Sequence, residues 1–381
     1  MDVNINNLKI PIIIDIGSSE VRAGFSKSKV PKVIFSNCFG QAKYQKVFRT
    51  FDKQDKKDVF IGEECDNFSG LIKIRYPVKH GVFQNEDDIL PLFSHIFSKL
   101  GIKSDEIKDH PILLSEPLLN PPLNREKISS ILFDNLQVPG LFFASQPILS
   151  LFSNGFQKGA VLESGEGVTQ SCAIFDGFSI PESFQRYNYG GGDVTEYLRS
   201  KLRKRGYCFY NTTDIKYLNE IKEKYCQIRN LIYLNTTDLE FQNRNYNLPD
   251  GKIIQIGDQE IYSFEMLFNN DILGEESLCF TDMLEKTISS VNIDCKEILR
   301  RNILLSGGNT SFSDIEERIE KKIWNKSLRS DKGRIVKAQE PKLSVWIGGN
   351  LVSTLDIFKK MWISRDEWSE KGIKIIHSKT F

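Results

Sequence analysis

The stretch that decides the fold is Ile10–Phe25, whose sequence is IPIIIDIGSSEVRAGF. Its first half is an apolar, β-branched run that stops at the carboxylate of Asp15, and small residues follow. Such a run, bounded by turn residues, is typical of a buried strand. The second half alternates apolar and polar residues. We therefore predict that it returns as the second strand of a β-hairpin.

The same arrangement occurs again about 150 residues later in the chain. Gly159–Val168 has the sequence GAVLESGEGV, and the apolar run Cys172–Phe175 follows it. In both copies an apolar run ends at a carboxylate, and glycine comes next. Two similar hairpins so far apart in one chain predict a duplicated domain.

Further strands and helices are predicted between and after the two hairpins. Asn302–Thr310 (NILLSGGNT) is an apolar run that enters a double glycine, and Leu343–Gly349 (LSVWIGG) opens a segment with helical periodicity. Amphipathic helices are predicted over Ile89–Leu100, Asn124–Leu136 and Thr195–Arg205. Strands mixed with helices indicate an α/β fold.

Two polar stretches differ from the rest of the chain. Ala42–Asp58 is rich in lysine, and Asn235–Asn247 is rich in Asn, Thr and charged residues, so we expect both to be exposed. The second stretch is followed by a turn at Leu248–Gly251 and, we predict, by a short strand pair within Lys252–Ile261.

The composition excludes several classes of protein. The 381 residues include 51 Lys and Arg against 50 Asp and Glu, which gives a formal net charge of +1. This balance argues against binding of nucleic acid through bulk positive charge, and against an acidic disordered tail. With 40% hydrophobic residues the composition is globular, and the length exceeds what one hydrophobic core usually serves. We expect two or more lobes and no direct nucleic-acid partner.

Cysteine and histidine usage points to a reducing compartment. The seven cysteines are scattered without a C-x-x-C pair, and only four histidines are present, so neither disulfides nor a zinc site is expected. The first residues show no signal-peptide pattern, and no stretch approaches the roughly 20 apolar residues of a membrane helix. We expect a soluble intracellular protein without a transmembrane segment.

The two hairpin turns offer a way to bind phosphate. Backbone amides in the turn after Asp15 can point at phosphate oxygens, while the carboxylate holds a hydrated Mg²⁺. A single strand that ends in Asp-x-Gly is more often only a turn. The repetition at Glu163 favours two turns that grip phosphates from opposite sides, and the Gly307-Gly308 pair permits close approach to a nucleoside. Together they predict a nucleotide bound in a cleft between two lobes.

From Ile10 to Phe381 the chain resembles the actin superfamily, and within it actin and the actin-related proteins rather than sugar kinases or heat-shock chaperones. The matching motifs, in the family's order, are RYPVKHG at Arg75–Gly81, HPILLSEPLLNP at His110–Pro121, NREK at Asn124–Lys127, LLSGGNT at Leu304–Thr310, VWIGG at Val345–Gly349 and MWISR at Met361–Arg365.

The resemblance implies a duplicated, ribonuclease-H-like ATPase fold of two lobes with a nucleotide cleft and four subdomains. Subdomain 1 would comprise residues 1–36, 77–153 and 344–381, and subdomain 2 residues 37–76. Subdomain 3 would comprise residues 154–189 and 276–343, and subdomain 4 residues 190–275.

The resemblance also implies a site for ATP or ADP with Mg²⁺. The expected nucleotide-binding residues are Asp15, Gly17, Ser18, Ser19, Arg22, Gly165, Glu166, Gly167, Val168, Gly191, Lys222, Glu223, Gly307, Gly308, Asn309, Phe312 and Lys342. The expected metal residues, acting through water, are Asp15, Gln146 and Glu163, and the expected catalytic residues are Gln146, Glu163 and Gln170.

Several of these positions depart from the actin pattern. Glu163 and Glu166 stand where actins have aspartates, and Gln170 stands where actins have a water-orienting histidine. A misplacement near 1 Å can cost on the order of 100-fold in rate. We therefore expect nucleotide binding with slow or absent ATP hydrolysis. The remaining departures are Arg22 for a lysine, and Asn219 and Gly192 for arginines near the adenine.

Self-assembly into a filament is a further implication. In this family it uses the loop at Ala42–Asp58, the plug loop at Phe264–Gly274 and an apolar cleft. The loop is rich in lysine here and the plug is polar at its tip, so assembly is expected to be weaker or more selective than that of actin. The cleft would be lined by Phe152, Phe178, Leu351, Val352, Leu355 and Met361.

Some details resemble the centractin group of actin-related proteins, which forms the short filament of dynactin. They imply a cytoplasmic, cytoskeletal protein with dynactin-type subunits and dynein as partners. A divergent conventional actin, a subunit of a nuclear chromatin-remodelling complex and a phosphotransferase on the same ATPase fold stay open as alternatives. The details are DVFIG at Asp58–Gly62, LIKIRYP at Leu71–Pro77, GEES at Gly274–Ser277, FKKMW at Phe358–Trp362 and the terminal KTF at Lys379–Phe381.

Overall fold

The structure is a computed structural model. It describes residues 8–43, 59–68, 71–211, 214–228, 244–274, 277–324 and 333–379. These residues divide into two units. Unit 1 takes its described residues from Met1–Lys158, Ile174–Ser179 and Ala338–Phe381, and unit 2 from Gly159–Ala173 and Ile180–Lys337. Each unit is therefore built from stretches that are not consecutive in the chain. The division into four subdomains stays a prediction.

Strands and helices are interspersed along the described chain. The strands are β1 (Ile12–Ile16), β2 (Glu20–Phe25), β3 (Val33–Ser36), β4 (Phe39–Ala42), β5 (Val59–Ile61), β6 (Ile72–Arg75), β7 (Val78–Lys79), β8 (Val82–Phe83), β9 (Ile112–Glu116), β10 (Gly140–Ser145), β11 (Gly159–Ser164), β12 (Thr169–Phe175), β13 (Phe178–Ser179), β14 (Gln185–Tyr187), β15 (Arg244–Asn247), β16 (Ile253–Ile256), β17 (Ile303–Ser306), β18 (Ile335–Lys337) and β19 (Ile363–Ser364). The α-helices are α1 (Glu64–Asn67), α2 (Ile89–Leu100), α3 (Pro122–Ser130), α4 (Gln146–Ser153), α5 (Gly191–Lys204), α6 (Asp214–Tyr225), α7 (Asp258–Ile261), α8 (Asn270–Leu273), α9 (Phe280–Ser289), α10 (Ile293–Arg301), α11 (Ile315–Trp324), α12 (Ser344–Ser353), α13 (Phe358–Met361), α14 (Arg365–Lys371) and α15 (Lys374–Lys379).

Unit 1 contains a sheet of six strands in the order β19-β10-β9-β1-β2-β3. The predicted hairpin is confirmed, because β1 and β2 pair antiparallel with Asp15 opposite Arg22. On its other side β1 pairs parallel with β9, which pairs parallel with β10. Every residue of β1 is buried, as expected of a central strand covered on both faces.

The two faces of this sheet carry separate apolar clusters. Ile12 and Ile14 belong to one cluster and Ile13 to the other, as the two-residue period of a strand requires. The second face is covered by α12, where a Cβ on Gly348 would lie 1.9 Å from the backbone oxygen of Leu149 in α4. The glycine pair of the LSVWIGG motif therefore serves close helix packing.

The sheet of unit 2 follows the same plan. Its main order is β12-β11-β17-β18, and β14 also pairs with β12. Strands β11, β17 and β18 run parallel to one another. In each unit a first strand thus has its hairpin partner on one side and a parallel strand on the other. The two repeated sequence motifs occupy the same position in their sheets.

The three predicted amphipathic helices are confirmed, with shifted boundaries in the second and the third. The first is α2, with the predicted bounds. The second is α3, which begins two residues early at Pro122 and continues as a π-helical turn over Ile131–Asn135. Proline is favoured in the first helical turn, because a backbone N–H at that position has no partner within the helix and its absence therefore breaks no helical hydrogen bond. The third is α5. At its start, the carboxylate of Asp193 accepts a hydrogen bond from the backbone N–H of Gly190 at 2.8 Å.

Of the strand pair predicted within Lys252–Ile261, the first strand is correct and the second is wrong. Strand β16 pairs with β15, which precedes the turn, and Asp258–Ile261 forms a short helix instead. The helix is favoured because the buried Glu260 carboxylate accepts from the backbone N–H of Gly257 at 2.9 Å. Most of the two predicted polar stretches lies outside the described residues, and β15 takes the last residues of the second one.

A search of the described residues for a helix with the length and apolar character needed to cross a membrane finds none.

Candidate functional site

The first hairpin turn is closed by a hydrogen bond from the backbone N–H of Gly17 to the oxygen of Glu20, at 2.9 Å. The fully buried Asn37, the residue after β3, supports this turn. Its backbone N–H donates to the oxygen of Ser19 at 2.7 Å, and its Nδ2 donates to the oxygen of Gly17 at 2.8 Å. The hydroxyl of Ser18 accepts from the backbone N–H of Gly81 at 3.3 Å. The turn is thus held from two directions.

The carboxylate of Asp15 lies just before this turn and is 4% exposed. Its Oδ1 accepts from Ser115 Oγ at 2.5 Å and from Gln146 Nε2 at 3.4 Å. These residues come from the ends of β1 and β9 and from the residue after β10. Because those strands are parallel neighbours, their carboxyl ends meet at one edge of the sheet, where ligands bind in open α/β sheets. The structure therefore brings Asp15 and Gln146 together at this edge.

Arg22 lies on β2 beside Asp15. Its Nη1 is 3.3 Å from Asp15 Oδ2, and its Nη2 is 2.5 Å from Glu20 Oε2. The guanidinium therefore lies at the first turn and already has carboxylate partners on two sides.

The second hairpin turn closes in the same way as the first. The backbone N–H of Gly165 donates to the oxygen of Val168 at 2.9 Å, with Glu166 and Gly167 between them. Behind the turn, the backbone N–H of Gly191 donates to Gly165 at 2.9 Å. In front, a Cβ on Gly165 would have only the oxygen of Val168 near it, at 3.9 Å. The backbone of this turn is therefore open to a ligand.

Two glycine segments pack directly on the second turn. A Cβ on Gly307, whose φ is +85°, would lie 2.2 Å from the oxygen of Ser164, and one on Gly190 would lie 2.4 Å from that of Gly165. No other residue fits at such distances. Asn309 then reaches the turn, and its Nδ2 donates to the oxygen of Gly165 at 2.7 Å. Gly308 begins the short 3₁₀ turn that carries Asn309.

Lys222 is a buried cation in unit 2, with 5% of its surface exposed. Its Nζ is 3.2 Å from Glu166 Oε2 and donates to the oxygen of Gly191 at 2.8 Å. A buried ammonium is tolerated only with such partners. This contact joins three of the predicted positions, and it engages the carboxylate of Glu166.

Glu163 and Gln170 lie on the strands that lead into and out of the second turn. Glu163 is 7% exposed and Gln170 is 2% exposed. Burial raises the pKa of the Cys172 thiol, and the negative charge of Glu163 raises it further, which places this carboxylate near Cys172.

Glu223, Lys342 and Phe312 complete the predicted set. Glu223 is exposed on α6, and Lys342 is exposed in the turn before α12 of unit 1. The ring of Phe312 packs edge-on against that of Phe264, with centroids 4.3 Å apart.

Sequence reasoning missed several polar residues that build the site. Ser115 had a usable signal, because it ends the apolar run of β9 as Asp15 nearly ends that of β1. Asn37 had no such signal in the sequence, because its partner Gly17 lies in a different connection between strands. In unit 2 the Ser164 hydroxyl bonds to the Thr169 hydroxyl at 2.8 Å, a contact that only the paired strands create.

The donor set of unit 1 fits a hydrated magnesium ion. Among the described residues no group of three or more His, Cys, Asp or Glu side chains is placed to hold a metal. Mg²⁺ needs no such cage, since it is usually bound through one or two carboxylates, its own waters and the phosphates of a substrate. The oxygens of Asp15 and Gln146 are the hard ligands that it prefers.

Comparison with known proteins agrees with this geometry. The family model described as Actin matches residues 8–381. The chain belongs to the actin family. The match covers both hairpin turns and the glycine segments that pack on the second turn. Proteins of the actin family generally bind a nucleotide with a divalent metal ion, and self-assembly is typical of them.

Proposed function

We propose that this actin-family protein binds ATP or ADP with Mg²⁺ and assembles into a short, centractin-type filament in the cytoplasm. The observation that carries the nucleotide part is the pair of identically closed turns. Each has a carboxylate two residues before its first glycine, Asp15 before Gly17 and Glu163 before Gly165. Turn amides with a neighbouring carboxylate suit a magnesium-bound polyphosphate.

The proposed roles follow from the resemblance of these positions to the actin family. The first turn with Arg22, and the backbone amides of the second turn over Gly165, Glu166, Gly167 and Val168, would bind phosphates. The metal would be held through water by Asp15, Gln146 and Glu163. The ribose and adenine would be bound by Gly191, Lys222, Glu223, Gly307, Gly308, Asn309, Phe312 and Lys342.

Slow or absent hydrolysis is part of the proposal. Hydrolysis needs a group that orients water or accepts its proton. The carboxylate of Glu166 is engaged by Lys222, and the amide of Gln170 has no basic atom at neutral pH. Bound nucleotide would then stabilise the fold and its assembly contacts instead of being turned over rapidly.

Exposed apolar residues of unit 1 support the assembly part. Phe178 is 69% exposed, Leu351 46% and Leu355 45%. Val352, expected beside them, lies in the core at 5% exposure. In the predicted plug loop Phe268 is also buried, because it packs at 5.4 Å from the ring of Phe280. The plug would therefore offer α8, and not its phenylalanines, to a neighbour.

The test combines binding, turnover and assembly of the purified full-length chain. We expect tight Mg²⁺-dependent binding of ATP by calorimetry, little phosphate release in a single turnover, and short filaments by electron microscopy. Native purification should recover dynactin-type subunits. Rapid phosphate release would contradict slow hydrolysis. Long filaments without dynactin subunits would favour a divergent conventional actin, and nuclear remodelling subunits would favour that alternative.

A further inference from the structure

Two carboxylates contact the guanidinium of Arg22, and a turn that binds phosphate needs only one of them. The guanidinium lies between Asp15, at 3.3 Å, and Glu20, at 2.5 Å, and the contact with Glu20 is the shorter. The side chain of Asp15 is 6% exposed, whereas that of Glu20 is 39% exposed. Glu20 is therefore the outer of the two partners, on the solvent side of the arginine.

These three side chains carry two negative charges and one positive charge. A polyphosphate that approaches the first turn meets a net charge of −1, although the turn amides favour an anion. The Nε of Arg22 is buried and has no hydrogen-bond partner. The most accessible partner of the guanidinium is an acid that repels phosphate.

The backbone allows Glu20 to give up this contact without disturbing the turn. Glu20 and Arg22 are two residues apart on β2, so their side chains share one face of the strand. The turn is closed by the backbone oxygen of Glu20, not by its carboxylate. A change of side-chain rotamer at Glu20 is sufficient to free the outer edge of Arg22.

We propose that Glu20 competes with the phosphates of the nucleotide for Arg22 and so weakens binding in proportion to phosphate charge. This proposal rests on the proposed nucleotide site. When phosphate binds, Arg22 exchanges the carboxylate of Glu20 for a phosphate oxygen while keeping its contact with Asp15. Glu20 is then a positioning residue that sets affinity and selectivity between polyphosphates, without taking part in chemistry.

The test compares Glu20→Gln with the unaltered protein. Removing the charge should tighten binding of MgATP about threefold to tenfold, a modest effect because the carboxylate is partly exposed and screened by salt. MgADP should gain less and adenosine should not change. Raising the salt concentration should shrink the gain. The measurement is calorimetric titration of the full chain at two ionic strengths.

Two further variants serve as controls. Glu86→Gln removes the same charge from an exposed ion pair with Lys127 elsewhere in unit 1, and should leave all three affinities unchanged. Glu20→Asp keeps the charge and should bind MgATP more like the unaltered protein than Glu20→Gln does. Equal or weaker MgATP binding by Glu20→Gln would overturn the proposal. Failure of the unaltered protein to bind MgATP would overturn the nucleotide site itself.

Discussion

At the scale of single residues, Lys222 connects burial with the proposed site. Its ammonium neutralises Glu166 and caps the oxygen of Gly191, so one side chain holds the second turn and α5 together. Burial of the Lys222 ammonium carries a desolvation cost, and only these two contacts offset it. Neither role is visible in the sequence, where Lys222 is one of several charges on an amphipathic helix.

Replacing Lys222 by methionine should lower the free energy of unfolding by about 2 kcal/mol, because Glu166 loses its cation. The value is below that of a fully buried pair, since the Glu166 side chain is 28% exposed. Chemical denaturation followed by circular dichroism measures it. Lys224→Met, at an exposed position of the same helix, should change stability by less than about 0.5 kcal/mol. Equal stability of the two variants would contradict this account.

The cysteines should differ sharply in reactivity. Burial raises the pKa of the Cys226 thiol to about 12, and that of Cys172 is raised too, so near pH 8 both stay protonated and unreactive. Cys208 is exposed. Maleimide labelling followed by peptide mass spectrometry should modify Cys208 within minutes, and the other two only after unfolding. Early labelling of Cys172 would show that the strands around it open readily.

At the scale of elements, the strands and helices that could be predicted are those that depend on residues close together in the chain. The hairpin around Asp15 and helix α2 follow from local apolar periodicity and turn residues, and both are confirmed. Strand β15 was missed because Arg244–Asn247 is polar and gains its pairing only from β16. Contacts such as that of Asn37 with Gly17 join residues from different strand connections, and no local pattern encodes them.

Helix packing in unit 1 offers a prediction at this scale. Gly348→Ala should lower the free energy of unfolding by about 3 kcal/mol, because its Cβ would meet the backbone of α4, which cannot move aside as a side chain can. Thermal unfolding measures the loss. The matched variant is Gly155→Ala, where nothing lies within 4 Å of the new Cβ and only the strain of a positive φ remains, about 1 kcal/mol. A smaller effect at Gly348 than at Gly155 would be inconsistent with this packing.

At the scale of the whole molecule, the net charge of +1 provides no strong field to attract or repel partners. Recognition must then depend on local surfaces. The exposed leucines at the end of α12 and after it are such a surface, and they belong to the family domain that the match covers.

The double variant Leu351→Ser/Leu355→Ser should therefore reduce filament assembly at least tenfold while the thermal unfolding midpoint changes little, because both side chains are about half exposed. Sedimentation and electron microscopy measure assembly. Ile293→Ser removes an apolar side chain that is 80% exposed in unit 2 and should leave assembly intact. If the double variant forms filaments as well as the unaltered protein does, the assembly surface lies elsewhere.

The non-consecutive make-up of unit 1 has a consequence for its synthesis. The Ile13 face of β1 is covered by α12, and Trp346 Nε1 donates to the backbone oxygen of Ile13 at 3.2 Å. On the ribosome, β1 emerges more than three hundred residues before this cover does. The nascent chain must keep an apolar sheet face from aggregating throughout that interval. Folding of unit 1 is thus not complete until α12 has emerged, and a chain halted before Ser344 should need a chaperone to stay in solution.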